Sequence, residues 1–218
     1  MEDRHVDELP FEPGRAGKLH EAGEIAGTLG KRALVVTGRD QDRALSLLTL
    51  LREHGLETVE FAVAAEPDVQ TIREGTALAR AEWCDSVVGF GGGAVIDAAK
   101  AIAILITNEG DVLDYLEIIG GGKTLTEPPV PLVAIPTTAG TGSEVTCNSV
   151  IRSPEHRIKV SLRSRSMIPR VALVDPETTY TLSPALTATT GLDALTQLLE
   201  AYVCTRSNPV TDGLCQEG

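Results

Sequence analysis

The chain has 218 residues, of which 42% are hydrophobic and 23% charged, and its mean hydropathy is +0.04. This length can bury a core without a metal or a disulfide, and the even composition excludes a disordered, collagen-like or coiled-coil chain. The net charge of −12 and the aromatic content of 3% disfavour nucleic acid and anionic membranes as partners. The polar, acidic first residues and four cysteines without a CxxC pair predict a cytoplasmic protein with reduced thiols.

Strands and helices are predicted to alternate as far as residue 136. Short apolar runs predict strands at 32–38, 56–63, 85–90 and 131–136, and apolar residues at helical spacing predict helices at 41–54, 67–83 and 94–107. Residues 1–30 are polar and glycine-dotted and receive no predicted element. Because parallel strands need crossover helices on both faces, this order favours an α/β fold with a doubly wound, Rossmann-like parallel sheet.

The pattern changes after residue 144. Two β segments at 144–151 and 156–162 are joined by a predicted turn, and a strand from Val171 stops at Pro176. Ser183 is a predicted helix N-cap followed by Pro184. The helix after it carries an apolar stripe of Leu192, Leu195, Leu199 and Tyr202. We therefore expect an α/β domain over residues 1–180 and the beginning of an all-α domain over residues 181–218.

Three consecutive glycines form the strongest local signal. Gly91, Gly92 and Gly93 follow a predicted strand and open a helix. Glycine permits positive φ and a close approach of phosphate to the backbone, and a helix N-terminus presents free N–H groups. The segment also fits G-x-G-x-x-A, but it lies on the third strand and no ribose-binding acid follows it. A phosphate site is favoured over the alternative, a tight strand–helix turn.

Small and hydroxylated residues crowd the loop after the fourth strand. Thr137, Thr138, Thr141 and Ser143 can donate to phosphate or ribose oxygens at the carboxyl end of a parallel strand, where α/β sheets bind ligands. The alternative is a loop closed by local hydroxyl–backbone bonds. Together with the glycine turn at the same sheet edge, the loop favours a nucleotide site.

Asp193 and Gln197 are spaced to share one helix face. Both side chains can then point at one metal ion. The alternative is an ordinary polar helix face, because Thr196 and Glu200 continue the same polar pattern.

Three motifs in this order closely resemble the iron-containing (group III) alcohol dehydrogenase family. They are Gly91-Gly-Gly-x-x-x-Asp97-x-x-Lys100, Pro136-Thr-Thr-x-Gly-Thr-Gly-Ser-Glu144-Val-Thr and Gly191-x-Asp193-Ala-Leu-Thr, and the resemblance extends over about residues 14–218. It implies an α/β domain of the dehydroquinate synthase-like type that binds NAD(P), followed by a helical domain that holds Fe²⁺ or Zn²⁺.

The resemblance also implies roles for individual residues in cofactor binding. The pyrophosphate would lie on Gly91, Gly92 and Gly93, with Asp97 in the same motif. Thr137, Thr138 and Thr141 would line the nicotinamide side, with Ser143 in the same loop, and Lys159 would match a family lysine near the ribose.

The resemblance assigns the metal site only in part. Asp193 matches the first metal ligand, whereas Gln197 stands where the family usually has His. The family's other two metal histidines lie beyond residue 218. The chain thus resembles the cofactor domain and the first helices of a longer enzyme, whose full-length form would bind Fe²⁺ or Zn²⁺.

Gly38 and Arg39 bear on the choice between NAD and NADP. NAD-preferring relatives often carry an Asp at the end of the first strand, and here Gly38 stands in that place. A guanidinium such as that of Arg39 can bind a 2′-phosphate bidentately, although Asp40 opposes it. The sequence slightly favours NADP.

The expected function is hydride transfer between a small alcohol or aldehyde and NAD(P), in a homodimer. Three alternatives stay open: a maleylacetate reductase-like enzyme, a dehydroquinate synthase-like lyase, and a non-catalytic nucleotide-binding remnant.

Overall fold

The computed structural model describes residues 11–12 and 15–218. Its strands are β1 (Phe11–Glu12), β2 (Arg32–Gly38), β3 (Glu57–Val63), β4 (Ser86–Gly91), β5 (Leu132–Pro136), β6 (Asn148–Ser153), β7 (Ile158–Arg163) and β8 (Val171–Leu173). Its α-helices are α1 (Ala22–Leu29), α2 (Leu45–Glu53), α3 (Val69–Ala81), α4 (Gly93–Thr107), α5 (Val112–Tyr115), α6 (Pro184–Val203) and α7 (Pro209–Glu217). Short 3-10 helices occupy several of the connections.

Six strands form one parallel sheet in the order β1-β8-β5-β4-β2-β3. Successive side chains of a strand point to opposite faces. Leu34 and Val36 accordingly pack in the core that contains α3 and α4, whereas Ala33 and Val35 pack in the core that contains α1 and α2. The predicted α/β fold with helices on both faces of a parallel sheet is confirmed.

The second β unit is the antiparallel hairpin of β6 and β7, which covers α4. Ile151 of β6 and Leu162 of β7 are fully buried in the same core as α4. This hairpin was predicted from the sequence, and it supplies one wall of the site described below.

Two expectations about the first helices need correction. The sequence predicted no element in residues 1–30, yet α1 is present and buries the small residues Ala22 and Ala26. The predicted helix to Trp83 ends at Ala81, and Trp83 is 84% exposed with a φ of 54°. Cys84 N donates to Ala79 O, and Trp83 N donates to Arg80 O, so a Schellman motif turns the Trp83 side chain away from the core.

The last two helices begin as predicted but leave their apolar side chains uncovered. The Ser183 hydroxyl accepts from Leu186 N and Pro184 is the first helical residue, which confirms the predicted start of α6. The predicted stripe of Leu192, Leu195, Leu199 and Tyr202 is between 45% and 62% exposed. None of the described helices combines the length and apolar character that crossing a membrane requires. The division into domains at residue 180 stays a prediction.

Candidate functional site

The glycine turn and the hydroxyl-rich loop meet at the carboxyl edge of the sheet. β4 and β5 are neighbours, with Gly91 opposite Pro136, and Thr137 N donates to Gly91 O at 2.9 Å. Gly92 is the N-cap of α4, and no side chain caps this helix. The first amide N–H groups of α4 therefore point into the space between the two loops, where an anion can accept from them.

Space, and not backbone conformation, requires glycine in this turn. None of Gly91, Gly92 and Gly93 has a positive φ, in contrast to the reason expected from the sequence. A Cβ on Gly91 would lie 2.5 Å from the Val95 side chain, so that glycine lets α4 pack on β4. A Cβ on Gly92 would lie 3.2 Å from Thr138, and one on Gly93 would lie 3.0 Å from Thr141. Bare backbone thus faces the threonines across a narrow gap.

Two buried hydroxyls at these strand ends lack a partner. Thr37 Oγ1 and Thr138 Oγ1 are both buried, and no atom of the described chain forms a hydrogen bond with either. Buried polar atoms in folded proteins nearly always have a partner. Thr37 lines a cleft at the end of β2, where a polar ligand would supply a partner to its hydroxyl, whereas Thr138 lines neither of the two clefts described below.

A small cleft of about 110 Å³ joins the end of β2 to the glycine turn. It holds Gly38, Arg39, Gly91, Gly92 and Thr137 among its lining residues. Arg39 is exposed and makes no ion pair within the part of the chain that the structure describes. The structure therefore places Gly38 and Arg39, which were expected to set the choice between NAD and NADP, beside the glycine turn.

A larger cleft of about 480 Å³ lies between α4, the hydroxyl-rich loop and the hairpin. Six of the predicted site residues line it: Gly93, Asp97, Thr141, Ser143, Lys159 and Asp193. The sequence analysis missed the remaining lining residues, which are Glu66, Pro67, Ala94, Thr146, Asn148, Val150 and Arg152. The hairpin residues among them carried no local sequence signal, because only the tertiary fold brings the hairpin over α4.

Lys159 lies at the rim of this cleft and forms an ion pair with Glu66. Both side chains are 57% exposed. Exposed ion pairs contribute about 0–1 kcal/mol, so Lys159 can exchange Glu66 for a bound ligand at little cost.

Asp97 and Lys100 form a polar cluster beneath the larger cleft. Lys100 is 1% exposed, and its Nζ lies 3.0 Å from Asp97 Oδ1. Nζ also donates to Ser143 O at 2.9 Å and to Thr146 Oγ1 at 3.0 Å. Burial lowers the pKa of the Lys100 ammonium, and the neighbouring Asp97 carboxylate opposes that shift. Asp97 and Lys100 are the two charged residues of a mostly apolar helix and lie three positions apart, which was the signal that could have identified this cluster.

Asp193 and Gln197 contact each other on α6, as their spacing predicted. Gln197 Nε2 donates to Asp193 Oδ2 at 3.2 Å and to Gly140 O at 2.9 Å. Gly140 has a φ of 145°, and a Cβ on it would lie 2.1 Å from Thr190 O, so only glycine lets the loop approach α6 this closely. One carboxylate of α6 is thereby held at the end of the larger cleft.

Comparison with known proteins identifies the family. The family model described as "Iron-containing alcohol dehydrogenase" matches residues 14–176. The chain belongs to this family. Among its relatives, 1,3-propanediol dehydrogenase of Klebsiella pneumoniae is 39% identical over 95% of this chain and 54% of its own length. Choline dehydrogenase of Bacillus subtilis is 37% identical over 98% of this chain and 54% of its own length.

Solved structures of this family share the fold. A 1,3-propanediol oxidoreductase superposes with a TM-score of 0.86 at 39% identity, covering 93% of this chain and 53% of that one. A sulfoacetaldehyde reductase of Bifidobacterium kashiwanohense, solved with NAD⁺, gives a TM-score of 0.84 at 32% identity, covering 92% of this chain and 54% of that one. The chain therefore spans about half the length of the relatives and solved structures that it matches.

The residues present fit the nicotinamide cofactor of this family better than its metal. The side-chain-free turn and the unpartnered Thr37 hydroxyl, which line the same small cleft, suit a dinucleotide. For a metal, residues 11–12 and 15–218 hold no group of three or more His, Cys, Asp or Glu side chains that could bind an ion. Asp193 offers one carboxylate, and its neighbour Gln197 faces it with an N–H donor. These residues do not form a complete metal site.

Proposed function

We propose that this chain binds NAD(P) along the carboxyl edge of its sheet, as the cofactor-binding part of an alcohol dehydrogenase. The observation that carries the proposal is the uncapped, side-chain-free N-terminus of α4 at Gly92, which lines the small cleft together with Thr37, whose buried hydroxyl has no partner among the described residues. A pyrophosphate lying there would accept from the first amides of α4 and from that hydroxyl. The solved NAD⁺ complex of a related reductase supports the same cofactor.

The chain's own residues orient the two halves of the cofactor. The adenosine half would lie in the small cleft, where Arg39 can bind a 2′-phosphate and Gly38 leaves room for it. This pair supports a preference for NADP over NAD. The nicotinamide half would enter the larger cleft, with Thr141 and Ser143 on one wall and Lys159 at the rim near the ribose. When bound, the nicotinamide supplies the hydride chemistry.

We propose that the substrate of the complete enzyme is a small alcohol or aldehyde. This proposal is supported by the relatives, which include a 1,3-propanediol dehydrogenase and an alcohol dehydrogenase 4 of Schizosaccharomyces pombe. The end of the larger cleft near Asp193 is the place where a small substrate would meet the nicotinamide. The described residues do not complete a metal site. A cytoplasmic location, a homodimer and a domain boundary near residue 180 belong to the same proposal.

Calorimetric titration with NAD⁺, NADP⁺ and ADP tests the binding proposal directly. We expect saturable binding of each at one site per chain, with NADP⁺ the tighter dinucleotide. Absence of binding by all three would refute it. Turnover of NAD(P)H is then measured with a small aldehyde, with maleylacetate, and with no substrate. Oxidation of NAD(P)H by the aldehyde supports the dehydrogenase, and oxidation by maleylacetate supports the reductase alternative. Binding without turnover is the result expected if this chain is only the cofactor-binding part of a dehydrogenase, and the non-catalytic alternative shares it.

A further inference from the structure

The ammonium group of Lys100 is buried two turns below the glycine turn of α4. All three of its hydrogens have an acceptor: Asp97 Oδ1 on its own helix, and the carbonyl of Ser143 and hydroxyl of Thr146 in the loop after β5. Lys100 therefore ties the helix that begins at the predicted pyrophosphate site to the loop that forms one wall of the larger cleft.

The carboxylate of Asp97 extends this connection to the hairpin. It accepts from the Ser143 hydroxyl and, at 3.0 Å, from Val150 N of β6. The backbone carbonyl of Asp97 accepts from the Ser149 hydroxyl at 2.7 Å. Three segments that are distant in the chain are thus joined through two side chains of α4.

Stability alone is a weak reason to bury a charged pair here. Taking an ammonium out of water is costly, and apolar residues of similar volume often replace buried ion pairs without loss of stability. The neighbours of Lys100 on α4 from Ala98 to Leu105 are apolar and buried, so an apolar side chain would suit position 100. What such a side chain could not do is bind the Ser143 carbonyl and the Thr146 hydroxyl.

We propose that Lys100 is a positioning residue that holds the 143–146 segment against α4, so that the larger cleft is preformed for the nicotinamide half of the cofactor. This inference rests on the proposed binding of NAD(P). Lys100 itself is buried beneath the cleft and does not touch the ligand. Its effect should therefore appear in the nicotinamide half only, because Ser143 and Thr146, which Lys100 binds, line the larger cleft and not the small one.

The test compares NAD⁺ with ADP, which lacks the nicotinamide half, in calorimetric titrations of Lys100→Met. We expect NAD⁺ affinity to fall about tenfold while ADP affinity stays within about twofold, since the loop must then be ordered at binding. Lys31→Met, an exposed lysine outside both clefts, is the matched control and should change neither affinity. Deuterium exchange should also rise in residues 141–147 of Lys100→Met, and not in β2 or β4.

Thr146→Val provides a second variant that removes one acceptor and leaves the buried charges in place. It should weaken NAD⁺ binding in the same direction. Because Thr146 also lines the larger cleft, the deciding readout is deuterium exchange of the free chain, which should rise in residues 141–147 and would not rise if only a direct ligand contact were lost. This variant keeps the proposal testable if Lys100→Met does not fold. Equal losses of NAD⁺ and ADP affinity, or no loss of either, would overturn the positioning role. A wild-type chain that binds neither ligand would overturn the proposed function, and this inference with it.

Discussion

The side-chain nitrogen of Gln197 lies 3.2 Å from Oδ2 of Asp193, one helical turn away on the same face of α6. The same nitrogen lies 2.9 Å from the carbonyl oxygen of Gly140. A hydrogen-bond donor thus faces the carboxylate at the place where a second metal ligand would be needed. Binding an ion would require the carboxamide to rotate and to give up both contacts.

Metal binding should accordingly be weak in the wild-type chain. A neutral amide oxygen is a poorer ligand for Fe²⁺ or Zn²⁺ than an imidazole nitrogen, and two ligands leave most of the coordination sphere open. We expect iron and zinc far below stoichiometric levels after dialysis, measured by plasma mass spectrometry. Gln197→His should raise zinc affinity, because it places an imidazole beside Asp193. Near-stoichiometric metal in the wild type, lost on Asp193→Ala, would contradict this.

Replacing Gly92 should abolish dinucleotide binding without unfolding the chain. In Gly92→Val the Cβ would lie 3.2 Å from Thr138, and the branched side chain would obstruct the backbone that lines the small cleft, where the pyrophosphate would approach. Binding of NAD(P) should become undetectable by calorimetric titration, with a near-native circular dichroism spectrum. Gly213→Val in α7 is the control, since nothing lies within 4 Å of a Cβ at Gly213. Unchanged cofactor affinity in Gly92→Val would show that the turn does not hold the pyrophosphate.

Arg39→Ala should reduce the preference for NADP. A hydrogen bond to a charged group contributes about 1.5–3 kcal/mol, so NADP affinity should fall by about tenfold or more. NAD affinity should change by less than about twofold, because NAD carries no 2′-phosphate. Arg206→Ala, another exposed arginine, serves as the control. The proposal fails if the wild-type chain binds NAD more tightly and Arg39→Ala leaves the ratio of the two affinities unaltered.

Asp68 should make part of the stability dependent on acid pH. Its Oδ1 accepts from Thr71 N at the N-terminus of α3, and its Oδ2 pairs with Arg152 at 3.2 Å. The Thr71 amide, with help from Arg152, lowers the pKa of the Asp68 carboxyl below its ordinary value of 3.8. A carboxyl whose folded pKa is lowered stabilises the fold above its unfolded pKa, and this contribution is lost as the pH falls through the folded value.

Urea unfolding of wild type and Asp68→Asn between pH 2.5 and pH 7 would measure this contribution, and the range is chosen to span the ordinary pKa of 3.8. The wild type should have the larger free energy of unfolding at neutral pH, and the difference should shrink below pH 3.8. Asp42→Asn, at an exposed position, should not show the same trend. A difference that does not vary with pH would mean that the charge of Asp68 contributes nothing to the cap.

The sequence predicted those features whose causes are local. The periodicity of apolar residues predicted the strands and helices of the sheet. Gly91–Gly93 could be recognised as a candidate phosphate site because backbone access to an anion needs consecutive small residues. α1 was missed because its buried positions are alanines and glycine, which give little periodic contrast. Lys100 received no role because its loop partner Ser143 lies 43 residues away in the chain. Contacts of that kind exist only once the fold is formed.

The order of the strands also has a consequence for how the chain is made. β1 pairs only with β8 among the described strands, with Phe11 opposite Ala172, so the first strand closes a loop that spans most of the domain. Every pair in the six-stranded sheet is parallel, and parallel pairs cannot form as local hairpins. During synthesis, β1 cannot pair with β8 until Leu173 has left the ribosome, so this edge of the sheet forms late. Folding should therefore be slow compared with a helical bundle of similar size.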